Sequence, residues 1–201
     1  GESALAVVDA GDLDAQAMSP RTLIDNTHRA ADVSFTGVRP VLVISGAAVS
    51  SALRDYRLLG ALLVAAESTG ATAACLDVTV DYLKTRKQFG KLIGSYQALK
   101  HPSVDILTMM DSARSFGYHA GSVITEEPLG TDQEIACRMA KAQATEALKL
   151  AGDRAVQFHG GMGFTWDGDA QLLIRRDQWA QQQFGDAQHH RQRLAALLLD
   201  N

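Results

Sequence analysis

Two patterns of apolar positions divide the chain near residue 45. Before it, short β-branched runs are bounded by turn residues: Leu5-Ala6-Val7-Val8-Asp9 and the stretch from Ala31 to Val38 read as strands, with Gly11, Pro20, Asp25 and Asn26 as punctuation. Beyond it almost nothing reads as strand, and apolar residues recur at helical spacing. The first helical segment runs from about Val49 to Arg86, with Leu53, Leu58, Leu59, Leu62, Leu63, Ala66, Ala73, Leu76, Val80 and Leu83 on one broad face. A second starts after Gly94, continues past Pro102 to about Thr125, and turns Ile106, Leu107, Met110, Ala113, Phe116 and Ala120 inward. Glu126-Glu127-Pro128-Leu129-Gly130 breaks the pattern, and Thr131 with Glu134 forms a capping-box signature for a third helix. That helix carries Ile135, Met139, Ala142, Ala147, Leu150, Ala151 and Val156 toward a glycine turn. A fourth segment spans roughly Gly168 to Gln183, and a short terminal helix spans about Ala187 to Leu199. Alanine at facing positions lets helices approach closely, so the pattern predicts a mainly α protein: an antiparallel four-helix bundle over 46–201, preceded by a short β segment over 1–45. That β segment is too short to close a sheet alone. Its missing strands are expected upstream, in another chain or in a separate fragment.

Composition narrows the classes. With 201 residues, 46% hydrophobic and 21% charged, the chain can bury one sizeable core. A net charge of −4 and a pI near 5.8 argue against a nucleic-acid footprint, which needs a basic stripe. By inspection no apolar run approaches the roughly 20 residues of a membrane span, and no charged-apolar-small leader opens the chain. Cys75 and Cys137 sit in apolar helical surroundings without metal-ligand spacing, so no metal site is expected. They read as buried thiols of a reducing cytoplasm, and Met109, Met110 and Met139 as core filler at helical spacing.

The chemistry concentrates in two motifs. Asp81 to Gly90 reads D-Y-x-x-x-R-x-Q-F-G, ending a helix with a cation, an amide, an aromatic and a glycine. Gln157 to Thr165 reads Q-x-H-G-G-x-G-F-T, a glycine turn after another helix. Both suit a phosphorylated aromatic ligand: a guanidinium matches phosphate better than an ammonium does, and glycines let backbone approach closely. Each motif also has a purely structural reading. Arg86 with Gly90 is a favourable helix C-terminus, a lone G-G-x-G is a common turn, and a lone His159 is commonly a hydrogen-bonded structural residue.

Together, at this separation and followed by Arg175-Arg176-Asp177 and a helix, the two motifs resemble the C-terminal part of flavin-dependent acyl-CoA dehydrogenases. The resemblance covers essentially the whole chain: the end of the family's middle β domain over 1–45, then its C-terminal helical bundle. It implies a fragment, a split subunit or a truncated form, because the family's N-terminal helical domain and the first half of its β domain are absent. It also implies that the R-x-Q-F-G segment reaches across a subunit interface to FAD held by the neighbouring protomer, with Arg86 on the pyrophosphate and Gln88 and Phe89 against the nucleotide. Ile93, Tyr96 and Gln97 would face the same nucleotide, as would Gln157, Phe158, Gly160 and Gly161 from the second motif. The implied partners are an acyl-CoA substrate, another acyl-CoA dehydrogenase subunit in a homo- or hetero-oligomer such as a tetramer, and an electron-transfer acceptor.

The family's reaction needs a carboxylate to remove the α-proton of an acyl thioester while a hydride passes to flavin. In the commoner of its two base positions, after the R-R-D helix, this chain has Phe184-Gly185-Asp186-Ala187, with Gly185 in the base position. In the other, on the first long helix 26 residues before Arg86, it has Gly60. Asp186 is a displaced candidate, one residue along and one methylene shorter than glutamate. Glu67 lies about 10 Å from Gly60 along the helix, too far to replace the base. Three readings follow: a non-catalytic partner in a heteromeric enzyme of the bacterial steroid side-chain type; a self-sufficient enzyme using Asp186; or a non-dehydrogenase binding protein on the same fold. An acidic overall balance weighs against the last.

Overall fold

A computed structural model describes residues 4–14, 17–125 and 128–199. Four short strands come first: β1 (Ala4–Val7), β2 (Met18–Arg21), β3 (Ala30–Val33) and β4 (Leu42–Ser45). β1 pairs antiparallel with β4, Ala4 opposite Ser45, and β2 with β3, Met18 opposite Val33. Pro20, expected as a turn residue, lies inside β2, where a two-stranded ribbon leaves an edge that needs no donor. The strand expected over 31–38 is shorter, because a turn intervenes before Gly37. Neither ribbon has a covered apolar face: Val7, Met18, Val41, Leu42 and Val43 are all exposed.

Five helices follow: α1 (Ala48–Thr85), α2 (Gln97–Val123), α3 (Thr131–His159), α4 (Ala170–Gln182) and α5 (Ala187–Leu199). α3 is central and packs against each of the others. Its buried stripe is mostly alanine, and Ala136, Ala140, Ala144 and Ala147 meet Ala65 of α1 and Ala113 and Ala120 of α2. Small residues at the crossing points draw the helix axes together, and Leu62, Met109, Phe116 and Val123 close the edges of this seam. By length and composition α1 is apolar enough to cross a membrane, contrary to the reading by inspection; in this fold it packs against α3, α2 and α4. Cys75 and Cys137 are buried, and burial pushes their thiols up to about 12 and about 11.

Several local expectations are corrected. Leu63, Ala66 and Leu107, read as inward, are exposed; Leu63 and Ala66 line an open groove between α1 and α2. Thr131 is the first helical residue of α3 rather than its cap; Gly130 is the cap, and its N–H donates to Gln133 Oε1 at 3.1 Å. Glu134, released from capping, pairs with Arg138 one turn on. Within the break before α3, Glu126 and Glu127 lie outside the described residues. Gly90 does not end α1, which stops at Thr85 with Arg86 already extended. Residues 87–92 form a small hairpin of β5 (Lys87–Gln88) and β6 (Lys91–Leu92). Phe89 (φ 53) and Gly90 (φ 78) sit at its two central positions, both left-handed, as the tight mirror-image hairpin turn requires.

Candidate functional site

The two motifs, distant in sequence, are adjacent in space. The Tyr82 ring stacks on the His159 ring with centroids 4.3 Å apart, and the Tyr82 hydroxyl donates to the His159 carbonyl at 3.4 Å. Beneath them Leu83, Ile93 and Phe158 form a buried cluster, packed by Tyr82, Tyr96 and Leu99. His159 Nδ1–H donates to Ala155 O at 2.7 Å, which fixes the ring on the end of α3. Ile93 and Phe158 therefore point into the protein and bear on a ligand only through the residues they position.

What this cluster holds outward is a set of unsatisfied polar and aromatic groups. Arg86, Gln88, Gln97, Gln157, Gly160 and Gly161 are exposed, Tyr96 is half-buried, and Phe89 is 91% exposed at the hairpin tip. The Phe89 ring meets Tyr96 edge-on at 6.5 Å, and Lys91 Nζ lies 4.0 Å over the Tyr96 ring. A phenylalanine in a left-handed conformation, projecting into solvent, costs energy in both respects. A flat aromatic ligand beside it would recover the second. The donor set of one guanidinium, three carboxamides and bare glycine backbone suits the phosphates and heterocycle of a dinucleotide, so the residues fit FAD.

Gly60 and Gly185, the two positions where the resemblance leads one to expect the base, lie toward the other end of α1. Gly60 is buried, and a Cβ there would lie 2.5 Å from Phe184 Cε1 and 2.8 Å from Cε2. The Phe184 ring thus occupies the space a side chain at Gly60 needs. Gly185 has φ +96, and a Cβ on it would meet His189 Cδ2 at 2.6 Å, so any side chain there faces both strain and a clash. Asp186 is exposed, and its carboxylate accepts from the His189 N–H at 2.7 Å as the N-cap of α5. Glu67 is taken up by Arg176 and Asp55 by Arg54 and the Leu129 N–H.

The loop that carries Phe184 is fixed from below by residues not singled out in the sequence. Lys141, fully buried on α3, donates to Gly185 O at 2.7 Å and Ala180 O at 3.1 Å. Burial lowers its ammonium to about 8, against the favourable field of Asp186. Buried His190 donates from Nε2 to Phe184 O at 3.1 Å, and burial with the nearby Lys141 and Arg138 charges holds it down at about 4, hence neutral. Phe184 itself has φ 55, a left-handed strain these hydrogen bonds maintain. Lys141 had a signal in the sequence: it falls on the same helical stripe as Cys137, Ala144 and Leu148, where an unpaired lysine needs a reason.

A third polar cluster joins the β segment to the bundle. Arg176 of α4 binds Asp25, Glu67 and the Thr27 hydroxyl, while His28 bridges Asp25 and Glu67 and stacks on Trp179 at 3.9 Å. Burial would raise the Asp25 carboxyl, but hydrogen bonds from Thr27, Arg176 and His28 outweigh it and hold it at about 2. Asp177, beside Arg176, is buried against the Gln181 and Gln178 amides, and burial raises its carboxyl.

Comparison with known proteins agrees with this architecture. Residues 52–199 match the family described as acyl-CoA dehydrogenase, C-terminal domain. Acyl-CoA dehydrogenase IpdE2 of Mycolicibacterium smegmatis is 37% identical over 180 residues, covering 88% of this chain and 51% of that protein. Among solved structures, a variant of the Tcur3481-Tcur3483 steroid ACAD superposes with a TM-score of 0.76 at 25% identity, over 96% of this chain and 50% of that one. The ChsE4-ChsE5 complex from Mycobacterium tuberculosis superposes with a TM-score of 0.80 at 22% identity, over 98% and 52%. The chain spans about half the length of these relatives. Matched over most of its own length by the family's C-terminal domain, it belongs to the acyl-CoA dehydrogenase family of flavoprotein oxidoreductases.

Proposed function

We propose that this chain is an acyl-CoA dehydrogenase-type subunit that completes an FAD site across a subunit interface and leaves proton abstraction to a companion subunit. The observation that carries the reading is the pairing of Phe184 with Gly60. The volume of one base position is filled by an aromatic ring, the other is a strained glycine against His189, and the nearby Asp186 is committed to capping α5.

Distance supports the sharing. Gly60 lies on α1 and Arg86 directly follows its last residue, Thr85; the 25 residues from Gly60 to Thr85 span about 38 Å at 1.5 Å per residue. That exceeds the reach of one extended flavin dinucleotide, so the arm at Arg86 and the base region at Gly60 of one chain serve different flavins. When bound, FAD supplies the hydride acceptor. The work of this chain is then to hold the cofactor: Arg86 on the pyrophosphate, Gln88, Gln97 and Gln157 as hydrogen-bonding amides, Phe89 and Tyr96 as apolar surface, and Gly160 and Gly161 as close backbone. Likeness to a steroid enzyme named for two chains favours a heteromeric assembly acting on the CoA thioester of a bulky, steroid-derived acyl group, with electrons leaving to a separate electron-transfer acceptor.

The test is co-expression with a dehydrogenase-like chain that carries a glutamate at either base position. Alone, the protein should purify without flavin absorbance and without acyl-CoA oxidation against a ferricenium acceptor; together, the pair should be yellow and active. Flavin retention and turnover by the chain alone, abolished by Asp186→Ala, would establish the displaced-base enzyme instead.

A further inference from the structure

The hairpin that follows α1 sets Arg86, Gln88 and Lys91 on one face. Lys87 stands opposite Leu92 and Gln88 opposite Lys91, and the ladder continues toward the helix, because the Ile93 N–H donates to the Arg86 carbonyl at 2.9 Å. Residues two apart on a strand share a face, and so do residues directly opposed across an antiparallel pair. Lys87 therefore lies on the other side, and Lys84, at the end of α1, is paired with Asp81 at 3.8 Å.

The Lys91 side chain is exposed and has no hydrogen bond or ion pair among the described residues. Its position is nonetheless defined, with Nζ 4.0 Å from the centroid of the Tyr96 ring. That ring is half-buried, packs against the cluster of Leu83, Ile93 and Phe158, and takes the Phe89 ring edge-on at 6.5 Å. One side chain thus fixes the cation and the exposed aromatic tip relative to each other. An ammonium over an aromatic face in water gains less than one that donates to an anion. Lys91 is therefore placed but not neutralised.

The diphosphate of a dinucleotide carries two negative charges, and the Arg86 guanidinium answers one of them. We infer that Lys91 is a further cofactor-binding residue, a second cation for the FAD diphosphate, seated by Tyr96 on the Gln88 face of the hairpin. The inference rests on the shared flavin site proposed above and adds a residue to it. The two cations divide the work by their chemistry: the planar fork of Arg86 orients phosphate oxygens through paired hydrogen bonds, while the compact ammonium of Lys91 supplies charge.

The test strips flavin from the assembly of this chain with its glutamate-bearing companion and measures the FAD dissociation constant by quenching of flavin fluorescence. Lys91→Gln should weaken FAD roughly tenfold at low salt, with the thermal midpoint of the flavin-free assembly unchanged because the side chain is exposed. Lys91→Arg should keep most of the affinity, and Lys87→Gln, on the opposite face, should keep all of it. The loss in Lys91→Gln should shrink as sodium chloride is raised from about 50 mM to about 500 mM, since a contact between exposed charges is screened. Arg86→Ala separates this inference from the reading beneath it. If Arg86→Ala weakens FAD and Lys91→Gln does not, the shared site stands and the second cation is refuted; if neither weakens FAD, the shared site itself fails and takes the second cation with it. A loss in Lys87→Gln equal to that in Lys91→Gln would reveal an effect of net charge alone, and a loss indifferent to salt would put Lys91 against the heterocycle; either overturns the role.

Discussion

The Phe184 ring lies directly over Gly60, so that two positions 124 residues apart in the chain share one side-chain volume. Glycine on α1 and phenylalanine before α5 are therefore one structural choice. Gly60→Glu alone should overpack the site and cost about 1–3 kcal/mol in urea unfolding. Phe184→Ala alone should open a cavity and cost about 3 kcal/mol or more. The double variant should be less destabilised than the sum of the two, with a favourable coupling of about 1 kcal/mol or more. Strict additivity would mean that the ring and the helix do not compete for that space.

Lys141 holds the Phe184 loop by two carbonyls at the cost of burying an ammonium. Its folded value of about 8 lies below the ordinary 10.5. The unfolded chain therefore binds more protons between those two values, and stability should rise with pH from about 8 to about 10.5. Lys141→Met should remove that slope when denaturant midpoints are compared across the window. It should also leave the Gly185 and Ala180 carbonyls without a donor, at about 1–3 kcal/mol near neutral pH.

Arg176 is the cation that Asp25 depends on. Arg176→Ala should cost about 3 kcal/mol, because it leaves the fully buried Asp25 carboxylate without its charge partner. The folded value of Asp25, about 2, lies below its ordinary 3.8. Its contribution is thus fully present above about pH 4 and is lost as pH falls toward 2. Asp25→Asn should flatten the acid limb of the stability profile over that range; an unchanged limb would show that other carboxylates govern it.

The Arg86 side chain is exposed and has no hydrogen-bond or ion-pair partner among the described residues, so Arg86→Lys should leave the thermal midpoint of the isolated chain unchanged. In the flavin-loaded assembly it should weaken cofactor retention by roughly tenfold, as the bidentate phosphate contact proposed for Arg86 would become a point charge. Tyr82→Ala should act differently. It removes the stack on His159 that joins the two motifs, and should lower both the midpoint and flavin retention.

The helical architecture was legible because apolar periodicity over long segments is a local property. α1, α4 and α5 fall within about two residues of their expected bounds, as does α2 apart from its later start, and Pro102 sits inside α2 as expected. What failed were positions decided by neighbours. Leu63 and Leu107 match the periodicity, yet both are exposed, Leu63 in the groove between α1 and α2. Gly90 has the composition of a helix cap, but the Phe89-Gly90 pair closes a hairpin, since left-handed backbone serves either purpose. Gln133, nearer to Gly130 than Glu134, took the capping role expected of the latter.

By itself the sequence determined the helix order, the alanine seam and the two motifs, all of which depend on residue identity and short-range spacing; that Gly60 and Gly185 stand where a base is expected came from the family resemblance. Only the tertiary structure decided that Tyr82 and His159 bring the motifs together, that Phe184 closes Gly60, that Asp186 caps α5, and that Lys141 holds the loop between them. Each is a contact between segments distant in the chain, and packing assigns its partner where local preference cannot.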